Sequence, residues 1–210
     1  MRKRSFVFAT LALCTASAVA DPSAGTAPRT VSRSGIPYKP DDDQAGPKEV
    51  VDAIRARRPG GKLLNLDRIL LHSPSFAMGW NSLFGAIRGK LTVPAKLREL
   101  AIMAIGSLNQ ADYEWAQHEK EFLNAGGTQA QLAALKNVPT AMKNDKLFDE
   151  AERTALALTV EMTRNIKVSD ATMTRVKKLL PTDQVIELIG TIAGYNMASR
   201  FLVATGVELE

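Results

Sequence analysis

The chain has 210 residues, of which 45% are hydrophobic and 23% are charged. This composition is typical of a globular protein with one domain or two small ones, and it excludes overall disorder, collagen and coiled coil. The formal net charge is +5 and there is one cysteine, Cys14. Three of the cations and this cysteine lie within the first 20 residues.

Residues 1–20 have the pattern of a secretory signal. Three cations at positions 2–4 precede an uncharged, apolar run over 5–16, which is shorter than the roughly 20 apolar residues that cross a bilayer. A small-x-small sequence ending at Ala20 follows, so we expect cleavage there and a periplasmic or secreted protein. Cleavage lowers the formal charge from +5 to +2 and removes Cys14. We therefore expect no nucleic-acid partner, no membrane span and no thiol chemistry in the mature chain.

Residues 21–46 are rich in proline and glycine and show little apolar periodicity. They predict a flexible N-terminal arm, either a tether or a segment laid over a neighbouring subunit. From residue 47 the pattern is helical, and alternation typical of strands is absent. The predicted helices cover 48–58, 65–71, 74–88, 94–108, 112–125, 129–136, 149–165, 169–180 and 182–204.

The ends of these helices carry recognisable signals. Thr128 with Gln131, and Asp149 with Glu152, have the spacing of capping boxes. The helix over 94–108 has the most regular apolar stripe. The last helix is apolar on more than one face, so it lies at the centre of the core or is covered by another subunit. The fold class is therefore all-α, with one domain of about eight helices over 47–210.

His118 is the first candidate functional residue. On a helical wheel Trp115, His118 and Phe122 share one apolar stripe, so His118 points inward. Glu114 lies four residues earlier, at the edge of this stripe. Glu99, on the preceding helix, faces the same space if the two helices pack antiparallel.

Three interpretations of this group remain open. The residues can form a buried histidine with a carboxylate partner and no further role. They can also form an acid–base pair, because pKa values shift readily at the boundary of an apolar stripe. A metal site is the third interpretation, but carboxylate-bridged di-iron bundles use two Glu-x-x-His motifs and this sequence has none, so we expect no metal.

Residues Glu99, Ala111, Glu114 and His118 resemble the signature of the alkylhydroperoxidase AhpD-like family. In that family a glutamate is followed by Cys-x-x-Cys and a histidine, and Ala111 and Glu114 stand where the two cysteines would be. The segment 97–102 also resembles the helix before the motif. Glu114-x-x-x-His118, with Phe122 and Gly126 following, is similar to the carboxymuconolactone decarboxylase branch of the same superfamily.

The resemblance implies an all-helical AhpD-like fold that assembles as a trimer or hexamer and acts on a small molecule without a cofactor. Peroxidase chemistry by this family needs a thiolate and a disulfide, which the sequence excludes at these positions. The decarboxylase branch implies His118 as an acid oriented by Glu114, with Glu99 as the third catalytic candidate. The candidates for binding the substrate are Arg98, Trp115 and Tyr195.

The function expected from the sequence is thus an exported, cofactor-free lyase acting on a small acidic, lactone or carbonyl compound. The alternative is a ligand-binding or structural oligomer that has kept the AhpD-like fold and lost catalysis.

Overall fold

The computed structural model describes residues 30–210, so the predicted signal segment lies outside the described residues. In the described range the chain forms ten α-helices, a 3-10 turn at Pro59–Gly61 and one isolated antiparallel bridge, between Val31 and Pro37. The helices are α1 (Lys48–Arg55), α2 (Asn65–Leu70), α3 (Pro74–Gly89), α4 (Ala95–Leu108), α5 (Asp112–Asn124), α6 (Gln129–Leu135), α7 (Val138–Ala141), α8 (Glu150–Arg164), α9 (Asp170–Leu179) and α10 (Thr182–Thr205).

The prediction of an all-α fold is confirmed, and so are the helix starts that rested on capping residues. The Thr128 hydroxyl accepts a hydrogen bond from the backbone N–H of Gln131, and the Asp149 carboxylate accepts one from Glu152. Helix α7 was not predicted because it is a single turn containing a proline, which has no apolar periodicity. Its start is capped by the Asn137 side chain, which accepts from the N–H of Thr140.

Helix α4 lies at the centre of the molecule. The sequence predicts one buried stripe for this helix, but every residue from Leu100 to Ile105 is fully buried. Helices α5, α8 and α10 all pack against it. Small residues on α4, Ala101, Ala104 and Gly106, let these neighbours approach from several sides, so its middle has no solvent face.

Helix α10 is partly central and partly exposed. Its buried residues include Leu188, Ile192 and Tyr195, while Ile186 and Val203 remain more than half exposed. The structure therefore supports the first of the two placements expected for this helix and leaves an apolar outer face. Within residues 30–210, no helix combines the length and apolar character needed to cross a membrane.

The described part of the predicted arm packs on the helical body. The backbone N–H of Arg33 donates to the carbonyl of Gly206, and the Ser34 hydroxyl donates to the carbonyl of Ala204. Gly206 ends α10 with a φ of 59°, and a Cβ there would come within 2.9 Å of the Ser34 backbone. Both the left-handed conformation and the close approach therefore require glycine at position 206.

Candidate functional site

A cavity of about 60 Å³ opens between α3, α5 and α10 and the segment between α1 and α2. This volume exceeds the 10–15 Å³ or so that one water needs, so several waters or a small ligand fit. Apolar groups from Trp80, Phe84 and Leu202 form part of the wall. The polar lining residues are Arg57, Arg58, Arg88, Tyr113, Glu114, Gln117, His118 and Tyr195.

His118 and Glu99 form a buried hydrogen-bonded pair. Helices α4 and α5 are joined by a three-residue turn and pack along each other, which brings Nδ1 of His118 to 2.8 Å from Oε2 of Glu99. Burial alone would raise the pKa of Glu99, but the hydrogen bond and charge of His118, together with Arg98, lower the pKa below its ordinary value. Because Nδ1 is occupied by Glu99, Nε2 is the ring nitrogen left to meet a ligand in the cavity.

Glu114 also lines the cavity, but it has a different environment. Its two carboxyl oxygens are buried and form no hydrogen bond with any described residue. Burial raises the pKa of Glu114 well above its ordinary value, so the carboxyl keeps its proton at higher pH than an exposed glutamate does. The carboxylate that orients His118 is therefore Glu99 rather than Glu114, which is a potential proton donor.

The raised pKa of Glu114 predicts a pH dependence of stability. Folding favours the protonated form, so the stabilising contribution is complete below the unfolded pKa of about 4.3 and is lost as the pH rises through the folded pKa. Over that window the free energy of unfolding should fall by up to about 1.4 kcal/mol per pH unit more in the wild type than in Glu114→Gln, which cannot titrate. Urea denaturation at pH 5, 6 and 7 measures the difference.

The control for this experiment is Glu121→Gln, which removes a half-exposed carboxylate from the same helix. It should follow the wild-type pH dependence. Parallel curves for the wild type and Glu114→Gln would contradict a raised pKa at Glu114.

The three residues proposed to bind substrate occupy different places. Tyr195 lines the cavity, and its ring meets that of His118 edge-on at a centroid distance of 5.0 Å. Arg98 is not part of the lining; its Nε donates to Oε1 of Glu99 at 3.2 Å, behind His118. Trp115 turns away to Glu119 and Lys136, whose ammonium nitrogen lies 3.4 Å from the centroid of the indole. The structure thus joins Tyr195 to the His118 group, gives Arg98 a supporting position, and separates Trp115 from the cavity.

Sequence reasoning missed the cations of the cavity. The sequence predicts a helix over 48–58 that would end with Arg57 and Arg58. In the structure α1 ends at Arg55, and both arginines line the cavity. Arg88, at the end of α3, reaches the same cavity. The sequence signal was the unusual Arg57-Arg58 pair before Pro59, but only the fold shows that it faces α3.

The carboxylate of Glu210 binds two of the residues that line the cavity, Tyr113 and Gln117. Oε1 of Glu210 accepts hydrogen bonds from the Tyr113 hydroxyl at 3.0 Å and from the backbone N–H of Asn65 at 2.8 Å. Oε2 accepts from Nε2 of Gln117 at 2.9 Å. Burial and the nearby Glu210 raise the pKa of Tyr113, so this phenol remains a hydrogen-bond donor. The segment after α10 therefore borders the cavity.

Histidine, cysteine and carboxylate side chains within residues 30–210 do not gather in groups of three or more suited to a metal ion. The second histidine, His72, lies elsewhere and contacts the carbonyl of Pro37 through Nε2 at 2.7 Å. The arrangement in the cavity is thus one of proton donors, proton acceptors and fixed cations.

Comparisons with known proteins identify a related sequence family and similar folds. Residues 74–161, which include α4, α5 and the Glu99–His118 pair, match the carboxymuconolactone decarboxylase family. No curated protein matches the sequence.

Solved structures show the same fold at low sequence identity. A peroxidase-related protein from Silicibacter sp. TM1040 superposes with a TM-score of 0.71 at 16% identity, covering 89% of this chain and 95% of that one. An alkylhydroperoxidase AhpD-core protein from Ralstonia eutropha JMP134 gives 0.67 at 17% identity, covering 81% and 90%. A debrominase in complex with 2,3,4-tribromopyrrole gives 0.61 at 17% identity, covering 78% and 84%. Residues 74–161, less than half of the chain, thus match the carboxymuconolactone decarboxylase family, and the chain shares the helical fold of AhpD-like proteins.

Proposed function

We propose that this protein is a cofactor-free lyase that removes CO₂ from a small acidic, lactone or carbonyl compound by acid–base chemistry in the cavity. The observation that carries this proposal is the buried Glu99–His118 pair, which presents its imidazole to a cavity that Glu114 also lines. A fixed imidazole beside a carboxyl of raised pKa is an arrangement suited to proton transfer.

The reaction needs few groups. The bond between the carboxylate carbon and its neighbour breaks, CO₂ leaves, and the electron pair is delocalised into the adjacent carbonyl of the substrate. A proton from Glu114 or from protonated His118 then forms the new C–H bond. The apolar wall of Trp80, Phe84 and Leu202 solvates the departing carboxylate poorly, which favours its loss as neutral CO₂.

Thiol peroxidase chemistry is outside this proposal. Peroxide reduction through a Cys-x-x-Cys pair forms a disulfide within the chain, which takes two thiols. This sequence has a single cysteine, and alanine and glutamate occupy positions 111 and 114. The proton-transferring part of the site can work without sulfur.

The proposal is tested by incubating the purified protein in D₂O with a panel of lactone acids and 3-oxo acids. We expect CO₂ release from at least one compound, with one deuterium gained at the carbon that lost the carboxylate, and no turnover by His118→Asn. If the wild type releases no CO₂ from any compound but a compound still raises its melting temperature, the ligand-binding alternative replaces the lyase. If turnover occurs equally in His118→Asn, the assigned acid–base group is wrong.

We also propose that the protein is exported and acts as a homo-oligomer. The signal pattern over residues 1–20 supports export, and the apolar outer face of α10 supports assembly. Mass spectrometry of protein recovered from the periplasm should give a chain that begins at Asp21. A full-length chain confined to the cytoplasm would contradict export.

A further inference from the structure

Arg57 has an unusual position for a cation. After the end of α1 its side chain lies along one face of α3, where Nη1 donates to both the carbonyl and the side-chain oxygen of Asn81, at 2.8 and 2.5 Å. Asn81, Gly85 and Arg88 are spaced so that they share this face. Gly85 leaves room for the guanidinium, because a Cβ there would lie 3.3 Å from Nε of Arg57. The fold therefore places the Arg57 guanidinium along the stripe that ends in Arg88.

The charges of these two arginines are poorly balanced by the residues that the structure describes. Both acceptors of Arg57 are neutral. Arg88 reaches a carboxylate only at 3.9 Å, on Glu121, and both of these side chains are more than a third exposed. An exposed pair at this distance contributes little. Burial and the neighbouring charges of Arg58 and Arg88 lower the pKa of Arg57, which shows that these cations repel one another.

The third cation of the cavity, Arg58, is different because it is already paired. Its Nε and Nη2 donate to the two oxygens of Asp67 at 2.8 and 2.6 Å. The acidic residues near His118 do not supply the missing negative charge either. Burial favours the neutral form of Glu114, and Glu99 is engaged by His118 and Arg98. Within residues 30–210, Arg57 and Arg88 thus have no close carboxylate partner, so their charges can be balanced by a ligand.

We propose that Arg57 and Arg88 form an anion-binding subsite at the α3 side of the cavity, which holds a carboxylate of the ligand other than the one lost as CO₂. Guanidinium groups suit this ligand because their planar donors match the two oxygens of a carboxylate. The inference builds on the proposed function, since it names the group by which the substrate is held while its reacting carbon faces His118. Arg57 lies outside residues 74–161, so this half of the subsite comes from a part of the chain that the family match does not cover.

The subsite is tested by calorimetric titration of the full-length protein with acetate and succinate at constant ionic strength, with succinamide as the neutral analogue and inorganic phosphate as the competing anion. We expect succinate or acetate to bind and succinamide not to bind. Arg57→Gln and Arg88→Gln should each weaken carboxylate binding about tenfold or more, the effect of losing a hydrogen bond to a charged group. Gly85→Ala, which displaces Arg57 without removing its charge, should weaken it less.

Lys90→Gln is the matched control, because it removes an exposed cation two residues beyond Arg88. Its affinity for carboxylates should equal that of the wild type. The proposal is overturned if the wild type binds neither carboxylate, if phosphate binds more tightly than both carboxylates, or if Lys90→Gln loses as much affinity as Arg88→Gln. Arg88 is exposed enough for its variant to fold, so Arg88→Gln retains the test if Arg57→Gln is unstable.

The same titration separates this inference from the proposed function. His118→Asn should bind carboxylates within about twofold of the wild type, because the imidazole is not part of the subsite. If carboxylates bind in an arginine-dependent way and no compound is turned over, the lyase proposal fails and the subsite stands. If His118-dependent turnover occurs and the arginine variants keep the wild-type KM, the subsite fails and the lyase stands.

Discussion

Replacing His118 with asparagine should lower kcat by about 100- to 10,000-fold on any substrate of the proposed lyase, because positioned acid–base groups contribute factors of this size. Asparagine keeps a polar side chain at the position but cannot shuttle a proton near neutral pH. Steady-state measurement of CO₂ release gives the change. The fold should persist, as judged by circular dichroism, since the substitution leaves the apolar stripe of α5 intact.

Glu99 acts through His118, so a substitution at Glu99 should change the kinetics in a different way from a substitution at His118. Glu99→Gln keeps the size of the side chain but removes the negative charge that holds Nδ1, so both kcat and the pH profile of kcat should change. A purely structural role for Glu99 would leave the pH profile in place.

His72→Asn is the control for the loss of His118, because His72 contacts Pro37 away from the cavity, and the kcat of this variant should match that of the wild type. Equal kcat values for His118→Asn and His72→Asn would contradict the assignment.

The second large effect concerns stability and the Arg58–Asp67 pair. The two side chains form two hydrogen bonds and are 9% and 2% exposed. Asp67 also accepts a hydrogen bond from the backbone N–H of Leu64, at the start of α2. Asp67→Ala leaves a buried guanidinium unpaired, so it should lower the free energy of unfolding by about 3–5 kcal/mol. Urea denaturation at pH 7 measures this loss.

Two further variants decide whether charge is the cause. Removing both partners in Arg58→Met with Asp67→Leu should restore a large part of the lost stability, because no buried charge remains unpaired. Asp52→Asn breaks an exposed pair with Lys48, which water and salt screen, so its free energy of unfolding should stay close to that of the wild type. If the double variant is as unstable as Asp67→Ala, packing or the cap of α2 accounts for the effect instead.

The helices could be predicted from local sequence because caps and apolar periodicity act over a few residues. Thr128 and Asp149 marked helix starts correctly, and the stripe on α5 correctly placed His118 and Phe122 inside. The wheel could not choose between the two carboxylates near His118. Glu114 is close along the helix, whereas Glu99 is 19 residues earlier and meets Nδ1 only because α4 and α5 pack together.

The cations of the site could not be predicted for the same reason. Arg57 and Arg88 are separated by 31 positions, and they share a cavity only once the end of α1 lies on α3. Arg98 was the nearest cation to His118 in the sequence, yet it donates to Glu99 and does not line the cavity. Trp115 shares the stripe of His118 on an ideal wheel, but its large ring lies at the edge of that stripe and contacts Lys136. The local sequence pattern therefore predicted the candidate reacting group, His118, but it did not predict which side chains surround His118 in the cavity.

The position of Glu210 has a practical consequence for work with this protein. Its carboxylate bridges Asn65, Tyr113 and Gln117 at the rim of the cavity. Tyr113 and Gln117 also line the cavity, so a substitution at Glu210 removes the partner of two residues of the cavity wall. Ligand affinities should therefore be compared only between variants that keep the Glu210 carboxylate.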